Sequence, residues 1–254
     1  MTPAEILTSI GHEPRNPRPF GPTRDGTATA WTCDGGTIYL DRSPTTPYVG
    51  RGSAMLAIDD ARRAHLIERQ ACGRRVLDFG SGLGGFVGRV RECAAFAIGY
   101  EPSAPDAITW SSVAHQGPYD IATAWHVVEH LDDPIEALTR LSGIMAPGAL
   151  LVVEVPHARD WLLHSCGAFR AFSLWSEHRI LHTRETLRSL LQCGGFDVER
   201  IEAVQRYPLA NHLHWLTRGM PGGVDVNENL DREYAAMLAA RDETDTLIAW
   251  ARKG

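Results

Sequence analysis

The chain has 254 residues, of which 44% are hydrophobic and 22% charged, and its formal net charge is -6. This length and composition are typical of one large soluble α/β domain with or without an appendage, and the acidic balance argues against a nucleic-acid-binding surface. No apolar run reaches the length of a membrane span, and the first residues lack the basic and apolar regions of a secretory signal. The five cysteines are scattered without a C-x-x-C pair, which predicts a cytoplasmic protein without a disulfide framework.

The first 50 residues are rich in Pro, Gly and Thr. The stretch "EPRNPRPFGP" is typical of irregular backbone, whereas "ATAWTCDGGTIYLDRS" predicts a hairpin around Asp34-Gly35-Gly36. A helix is then predicted from the N-cap Ser53 to Gly73. We therefore expect an N-terminal hairpin appendage over residues 1–52 and a main domain over residues 53–254.

Strands and helices alternate in the next part of the chain. The segments "RRVLDFG", "AAFAIGYE", "AITWSSV" and "YDIATAWHVV" predict four strands, with the third as the weakest, and "GGFVGRVREC" predicts a helix after the first. In "DDPIEALTRLSGIMAPG", Asp133 and Glu136 form a capping box at the helix start, and Pro147-Gly148 marks its end. The near-continuous apolar run "ALLVVEVP" predicts a fifth strand that is buried on both faces.

The regular pattern stops after Pro156. We expect an insertion over residues 157–182, then a helix over 183–193 that is capped by Thr183 and stopped by Gly194. The strand "FDVERIEAVQRYP" follows, then "NHLHW" as a packed loop or part of a substrate pocket, the helix "NLDREYAAMLAARD" and a last edge strand "DTLIAWARK". The order predicts an α/β fold with a doubly wound, mostly parallel seven-stranded Rossmann-like sheet and an antiparallel last strand.

The turn "VLDFGSGLGG" after the first strand indicates a cofactor site. Gly80, Gly82 and Gly85 satisfy G-x-G-x-x-G, and Glu101 ends the second strand about 20 residues on, so a nicotinamide or flavin dinucleotide is one possibility. Asp78 favours another ligand, because a carboxylate there would repel a pyrophosphate and suit an ammonium group. Alternatively, Gly82 and Gly85 simply permit close helix–strand packing.

Four segments in order, "VLDFGSGLGGF", "GYEPS", "YDIATAWHVVEHLDDP" and "APGALLVVEVPH", resemble the class I S-adenosylmethionine-dependent methyltransferases, especially the branch with an H-V-L-E-H-L-x-D-P-like segment. The resemblance covers about residues 74–206 and the final strand. It implies S-adenosylmethionine as the cofactor. Gly80 and Gly82 would let the backbone approach its methionine part, Asp78 would face its ammonium group through water, and Glu101 would accept both ribose hydroxyls.

The same resemblance implies that Trp125 and His126 line the methionine side of the cofactor at the end of strand four. Glu129 and His130 are interpreted mainly as residues that fix the loop. The segment between Glu101 and Asp120 is shorter than in the family, so the residue that contacts adenine stays open, with Trp110 and Ser111 as candidates.

Candidate bases for the acceptor lie in the insertion. His157 follows strand five, where an α/β active site is expected. The segment "SEHRILHTRETL" resembles the E-H segment of sugar C-methyltransferases, which implies Glu177 and His178 as further bases. His178 and His182 have i,i+4 spacing but lack the glutamate of H-E-x-x-H, so we expect no metal site.

The acceptor is expected to be a small polar molecule, such as a sugar or a natural-product intermediate, that is methylated on carbon or oxygen. Neither nucleic acid nor a membrane is an expected partner, and the oligomeric state stays open, a homodimer included. The rival hypotheses are an NAD-dependent oxidoreductase and a non-catalytic binding protein with the same fold. Aromatic side chains that could form the acceptor walls are Tyr39, Tyr48, Trp161, Trp175 and Trp215.

Overall fold

The computed structural model describes residues 1–42, 54–104, 107–224 and 227–254, and only the backbone of residues 54–56. The predicted N-cap Ser53 and the acceptor-wall candidate Tyr48 lie outside the described residues. The elements in chain order are α1 (Pro3–Ser9), β1 (Arg18–Pro22), β2 (Thr29–Thr32), β3 (Ile38–Leu40), α2 (Ala54–Ala71), β4 (Arg75–Phe79), α3 (Gly85–Val90), β5 (Phe96–Tyr100), α4 (Trp110–His115), β6 (Tyr119–Trp125), a 3-10 turn (Val128–His130), α5 (Pro134–Gly143), β7 (Met145–Pro156), α6 (Trp161–Ser165), α7 (Gly167–Ser173), β8 (Ile180–Leu181), α8 (Arg184–Cys193), β9 (Phe196–Val204), α9 (Leu209–Arg218), α10 (Glu228–Ala240) and β10 (Thr246–Lys253).

The N-terminal hairpin is confirmed. Strands β2 and β3 pair antiparallel, and both Gly35 and Gly36 in their turn have positive φ, 90° and 86°. The stretch predicted to be irregular contains a strand, however, because β1 pairs antiparallel with β2. Its prolines are tolerated because β1 is the edge strand of its sheet, where a missing backbone N–H breaks no ladder bond.

A six-stranded sheet forms the main body, in the order β5-β4-β6-β7-β10-β9. The first four of these strands run parallel, and β10 is antiparallel to both of its neighbours. The doubly wound α/β fold is thus confirmed, but with six strands among the described residues rather than seven. The last strand lies inside the sheet, between β7 and β9, and is not an edge strand.

The missing seventh strand is the segment "AITWSSV". It forms α4 instead, because Thr109 caps the helix by accepting a hydrogen bond from the Ser112 backbone N–H at 3.1 Å. Two further boundaries differ from the prediction. Helix α5 ends at Gly143, and Pro147-Gly148 belongs to the start of β7, whose Met145 already pairs with Tyr119. The stretch "NHLHW" is part of helix α9, where Trp215 and His212 are buried, and is not a loop.

Helices cover both faces of the large sheet. Helices α2 and α3 pack on one face through Ile67 and Phe86, and α4, α5 and α8 pack on the other through residues such as Leu141 and Leu190. Side chains alternate between the two faces along each strand. On β4 and β7 the alternation sends two carboxylates, those of Asp78 and Glu154, toward the face of α2 and α3.

The appendage and the insertion form a second sheet together. Strand β8 of the insertion pairs antiparallel with β3 of the appendage, which completes the order β1-β2-β3-β8. Ile38, Leu40 and Leu181 are buried in the apolar cluster beneath this sheet. Over the described parts of the chain, no helix combines the length and the apolar character that crossing a membrane requires.

Candidate functional site

The glycine turn between β4 and α3 is built from two glycines with different requirements. Gly80 has φ +78°, and a Cβ there would overlap the Val127 side chain. Gly82 has φ +51° but open space where its Cβ would lie. The first glycine therefore permits close packing against Val127, whereas the second leaves its backbone uncovered next to free space.

The third glycine of the motif has a packing role. A Cβ on Gly85 would overlap the carboxylate of Asp60 on α2. Gly85 thus lets α2 approach the start of α3, a contact between two helices rather than the helix–strand packing considered from the sequence.

Glu101 lies directly beside the turn. Its Oε2 accepts a hydrogen bond from the Gly82 backbone N–H at 3.1 Å, and its Oε1 accepts from the backbone N–H and the hydroxyl of Ser103 at 3.1 and 2.6 Å. The sequence places Gly82 and Glu101 at the ends of neighbouring parallel strands, and the structure joins them. The carboxylate retains lone pairs for further donors.

Asp78 is buried below the turn. It accepts a hydrogen bond from the Thr123 hydroxyl at 2.7 Å and is 2% exposed. Burial raises the pKa of this carboxyl to about 7, although the Thr123 hydrogen bond acts in the opposite direction. A cationic group brought near Asp78 would favour its ionised form.

Trp125 and His126 occupy the carboxyl end of β6. The Trp125 ring packs edge-on against Phe86 at 5.3 Å, and its Nε1 has no hydrogen-bond partner among the described residues. His126 has a positive φ of 55°, which is uncommon outside glycine and marks a residue held by its surroundings.

The His126 ring lies between two buried carboxylates. Its Nδ1 donates to Glu129 Oε1 at 3.1 Å, and its Nε2 lies 3.1 Å from Glu154 Oε1 without good hydrogen-bond geometry. Burial and Arg206 act to lower the pKa of His126, but the two carboxylates outweigh them and raise it. The ring is thus favoured as an imidazolium.

Glu154 is the centre of a buried ion network that the sequence interpretation missed. Its Oε2 accepts from Arg62 Nη2 at 2.6 Å, its Oε1 accepts from Arg63 Nη2 at 2.7 Å, and Arg206 Nη1 lies 4.0 Å away. Burial acts to raise the pKa of Glu154, but His126 and the arginines hold it well below its usual value. The one available signal was a lone acid within the apolar run "ALLVVEVP".

Arg206 connects this network to strands β9 and β10. Its Nε lies 3.3 Å from Asp245 Oδ1 and its Nη1 lies 3.5 Å from Asp59 Oδ2. The arginine therefore joins the end of β9, the start of β10 and helix α2.

A second cluster joins the 3-10 turn to the insertion. His130 Nδ1 donates to the Glu177 backbone carbonyl at 3.0 Å, and the Arg179 backbone N–H donates to the Glu129 carbonyl at 2.8 Å. The His130 and His178 rings have centroids 4.8 Å apart, and Glu129 Oε1 lies 4.0 Å from His130 Nε2. Burial and His130 lower the pKa of His178 to about 3.

His157 and His182 do not join this cluster. The His157 Nδ1 donates to the Thr244 carbonyl at 3.0 Å, and burial lowers the pKa of its buried ring to about 4. His182 Nδ1 lies 3.3 Å from the Thr186 hydroxyl. Within the described ranges, the group of side chains that brings three metal-ligand atoms within 4.8 Å consists of Glu129, His130 and His178.

The aromatic candidates mostly form packing contacts. Trp110 packs against Tyr100 at 5.2 Å and Phe79 at 6.2 Å, while Ser111 lies in the first turn of α4. Trp161 stacks on His212, and Trp215 is buried against Phe169. Tyr39 and Trp175 line a small cavity together with His178.

The family model described as "Methyltransferase domain" matches residues 55–201, which is more than half of the chain. The chain belongs to this methyltransferase family. It is an S-adenosylmethionine-dependent methyltransferase with a class I Rossmann-like fold, and the dinucleotide interpretation of the glycine spacing is not retained.

The chain is similar to several solved structures, of which the first supports the fold. A SAM-dependent methyltransferase from Archaeoglobus fulgidus is 23% identical, with 80% of this chain and 96% of that chain covered and a TM-score of 0.54. A second SAM-dependent methyltransferase, from Mesorhizobium loti, is 17% identical, with 77% of this chain and 97% of that chain covered and a TM-score of 0.46. A possible histamine N-methyltransferase from Thermotoga maritima is 19% identical, with 78% of this chain and 96% of that chain covered and a TM-score of 0.45. Among curated proteins, none matches the chain.

The ion network gives the first prediction. We expect Glu154→Ala to lower the free energy of unfolding by about 3–5 kcal/mol, because it leaves the buried guanidinium of Arg63 without its carboxylate. The matched control is Glu199→Ala, which removes an exposed ion pair with Arg252 at 2.9 Å and is expected to cost less than about 1 kcal/mol. Urea denaturation of both variants measures the difference, and equal losses would contradict a structural role for the network.

Proposed function

We propose that this methyltransferase transfers a methyl group from S-adenosylmethionine to an oxygen or carbon of a small polar acceptor, held at the carboxyl ends of β4, β6 and β7. The observation that supports this site most is the contact of Glu101 with the Gly82 backbone beside open space. The bound cofactor supplies an electrophilic methyl group on sulfur. Transfer is an in-line displacement, so positioning of the two reactants by the chain contributes much of the rate.

The residues around the glycine turn fit the cofactor chemically. The free lone pairs of Glu101 suit the two ribose hydroxyls, and the backbone at Gly80 and Gly82 suits a close approach of the methionine part. Asp78 suits the ammonium group through water. The Trp125 Nε1 is a donor that has no acceptor among the described residues, and the polar end of the methionine part would accept from it, with His126 beside it.

On the acceptor side we propose that His178 acts on the acceptor, with Glu177 next to it. His178 lies where the appendage meets the insertion, and its ring lines a cavity of about 10 Å³ between β3 and the insertion. We assign His157 the part of holding the end of β7, because its ring is tied to Thr244. The net charge of -6 favours a small molecule over a nucleic acid as acceptor, and the E-H segment favours a sugar-like one.

A labelled-methyl assay tests this function. Calorimetry with S-adenosylmethionine, S-adenosylhomocysteine and NAD is followed by a screen of sugars, sugar nucleotides and natural-product intermediates with the labelled donor. We expect binding of the first two ligands, transfer to a polar small molecule, and loss of transfer in His178→Ala with unchanged S-adenosylhomocysteine affinity.

The matched control for this assay is His65→Ala, since the His65 side chain is 88% exposed on α2. It is expected to retain full transfer. Equal activity of His178→Ala and His65→Ala would remove His178 from the acceptor side. Transfer to no polar small molecule would contradict the proposed acceptor class.

For the cofactor site, we expect Glu101→Ala to weaken S-adenosylhomocysteine binding by about 1–3 kcal/mol, because two hydrogen bonds from ribose hydroxyls to a charged group are lost. Isothermal titration calorimetry measures the change. Glu92→Ala, an exposed glutamate after α3, is the control and should bind like the wild type. An unchanged affinity in Glu101→Ala would place the ribose elsewhere.

A pH dependence follows from Asp78. Because burial raises the pKa of Asp78 to about 7, the folded protein keeps this carboxyl protonated below that pH, whereas the unfolded chain ionises it from about pH 4. The free protein therefore loses stability as pH rises from about 4 to about 7. An ammonium group nearby favours the ionised form, so binding below about pH 7 releases a proton. We expect cofactor affinity to increase with pH up to about 7, by at most about tenfold per pH unit.

The comparison protein for this pH series is Asp78→Asn, in which that proton release is absent. The amino group of the cofactor titrates equally with both proteins, so the difference between them isolates Asp78. Calorimetry in two buffers of unequal ionisation enthalpy counts the protons. The same proton release in both proteins would show that Asp78 does not face the ammonium group.

A further inference from the structure

We propose that Glu129, His130 and His178 bind one divalent transition-metal cation, such as Zn²⁺ or Fe²⁺, at the junction of the 3-10 turn and the insertion. Metal binding itself does not depend on the proposed acceptor. That the metal lies on the acceptor side rests on the proposed function of this methyltransferase.

Among the described residues, two potential metal-ligand atoms of this cluster have no hydrogen-bond partner. Glu129 is 1% exposed, and its Oε2 is buried without a hydrogen bond. The Nδ1 of His178 is likewise buried without a hydrogen bond. Leaving a buried carboxylate oxygen and a ring nitrogen without partners is costly, and a shared cation bound between them removes both costs.

The third ligand comes from His130, and its orientation is already fixed. Its Nδ1 donates to the Glu177 carbonyl at 3.0 Å, so the ring proton is on Nδ1 and the lone pair is on Nε2. The Nε2 lies on the side of Glu129, 4.0 Å from Oε1. One ligand atom from each of the three residues lies within 4.8 Å of the others, and a contraction of about 1 Å brings them to the spacing around a metal with bonds of about 2.1 Å.

The surroundings resemble those of metal ligands in general. A metal-bound histidine usually donates its other N–H to a carbonyl or carboxylate, as His130 does to Glu177. A ligating carboxylate is usually hydrogen-bonded in turn, as Glu129 Oε1 is to His126. These contacts orient the His130 ring and the Glu129 carboxylate.

The donor set determines the class of metal. Two imidazoles and one carboxylate suit Zn²⁺ or Fe²⁺ rather than Mg²⁺ or Ca²⁺, which prefer oxygen ligands. Three protein ligands leave at least one position for water or for an oxygen of the acceptor. His178 lines the cavity of about 10 Å³ next to Tyr39, which has room for about one water molecule.

Sequence patterns led to the opposite expectation of no metal site. Glu129 and His130 are adjacent, whereas His178 follows 48 positions later, so the ligands form no short motif. His182, the i,i+4 neighbour of His178, is not part of this group, and its Nδ1 lies 3.3 Å from the Thr186 hydroxyl.

The experiment uses the full chain after treatment with a chelator and dialysis. Zn²⁺ and Co²⁺ are titrated separately by calorimetry, and Co²⁺ is also followed by its visible absorption. We expect one metal per chain in the wild type and in the exposed-histidine control His65→Ala. In Glu129→Gln and His178→Ala we expect the affinity to fall by more than about a hundredfold, beyond the loss of about 10–100-fold expected from a supporting residue alone.

Circular dichroism and thermal unfolding show whether each variant is folded, and Glu129→Gln keeps the size of the side chain. Zn²⁺ should raise the melting temperature of the wild type and of His65→Ala but not of Glu129→Gln. No binding of either metal by the wild type up to about 1 mM, or equal binding by all four proteins, would overturn the proposal. Metal binding without methyl transfer would contradict the proposed function alone, since the titrations contain neither cofactor nor acceptor.

Discussion

The rest of the site depends on the buried, ionised carboxylate of Glu154. A charge inside the sheet requires counter-charges, and here helix α2 supplies Arg62 and Arg63, both hydrogen-bonded to it at 3.2 Å or less. The pairing holds α2 across the carboxyl end of β7 and beside the glycine turn. It also explains why His126, at the end of β6, adopts a positive φ of 55°: its ring is held between Glu154 and Glu129.

Much of the fold could be predicted because its signals are local. The turn after β4, the apolar run of β7 and the caps of α5 and α8 are each contained in a few neighbouring residues. The errors have non-local causes. The segment "AITWSSV" fits a strand by composition, but the Thr109 cap makes it a helix, and the position of β10 inside the sheet depends on pairing with β7 and β9. Strand order is not contained in any one segment.

The residues of the candidate site likewise fall into those with a local sequence signal and those that depend on contacts between distant parts of the chain. Gly80, Gly82 and Glu101 could be named from the sequence because each follows a strand end, and ends of neighbouring parallel strands meet. Arg62 and Arg63 could not be named from the sequence. The hydrogen bonds from Arg63 to Glu154 span 91 positions, and charged residues on a helix are usually solvated. The only sequence signal was Glu154 itself, because an acid within an apolar strand requires a buried partner.

The two buried carboxylates next to His126 are neutralised in different ways, and this difference relates the cofactor side to the insertion. Glu154 is surrounded by guanidinium groups, so its charge is already compensated. Glu129 Oε1 accepts a hydrogen bond from His126, while its Oε2 has no hydrogen-bond partner among the described residues, and the imidazoles of His130 and His178 are grouped with this carboxylate. A cation therefore gains more at Glu129 than at Glu154. Because His178 belongs to the insertion, whose β8 pairs with β3, filling that position would tie the small sheet to the end of β6.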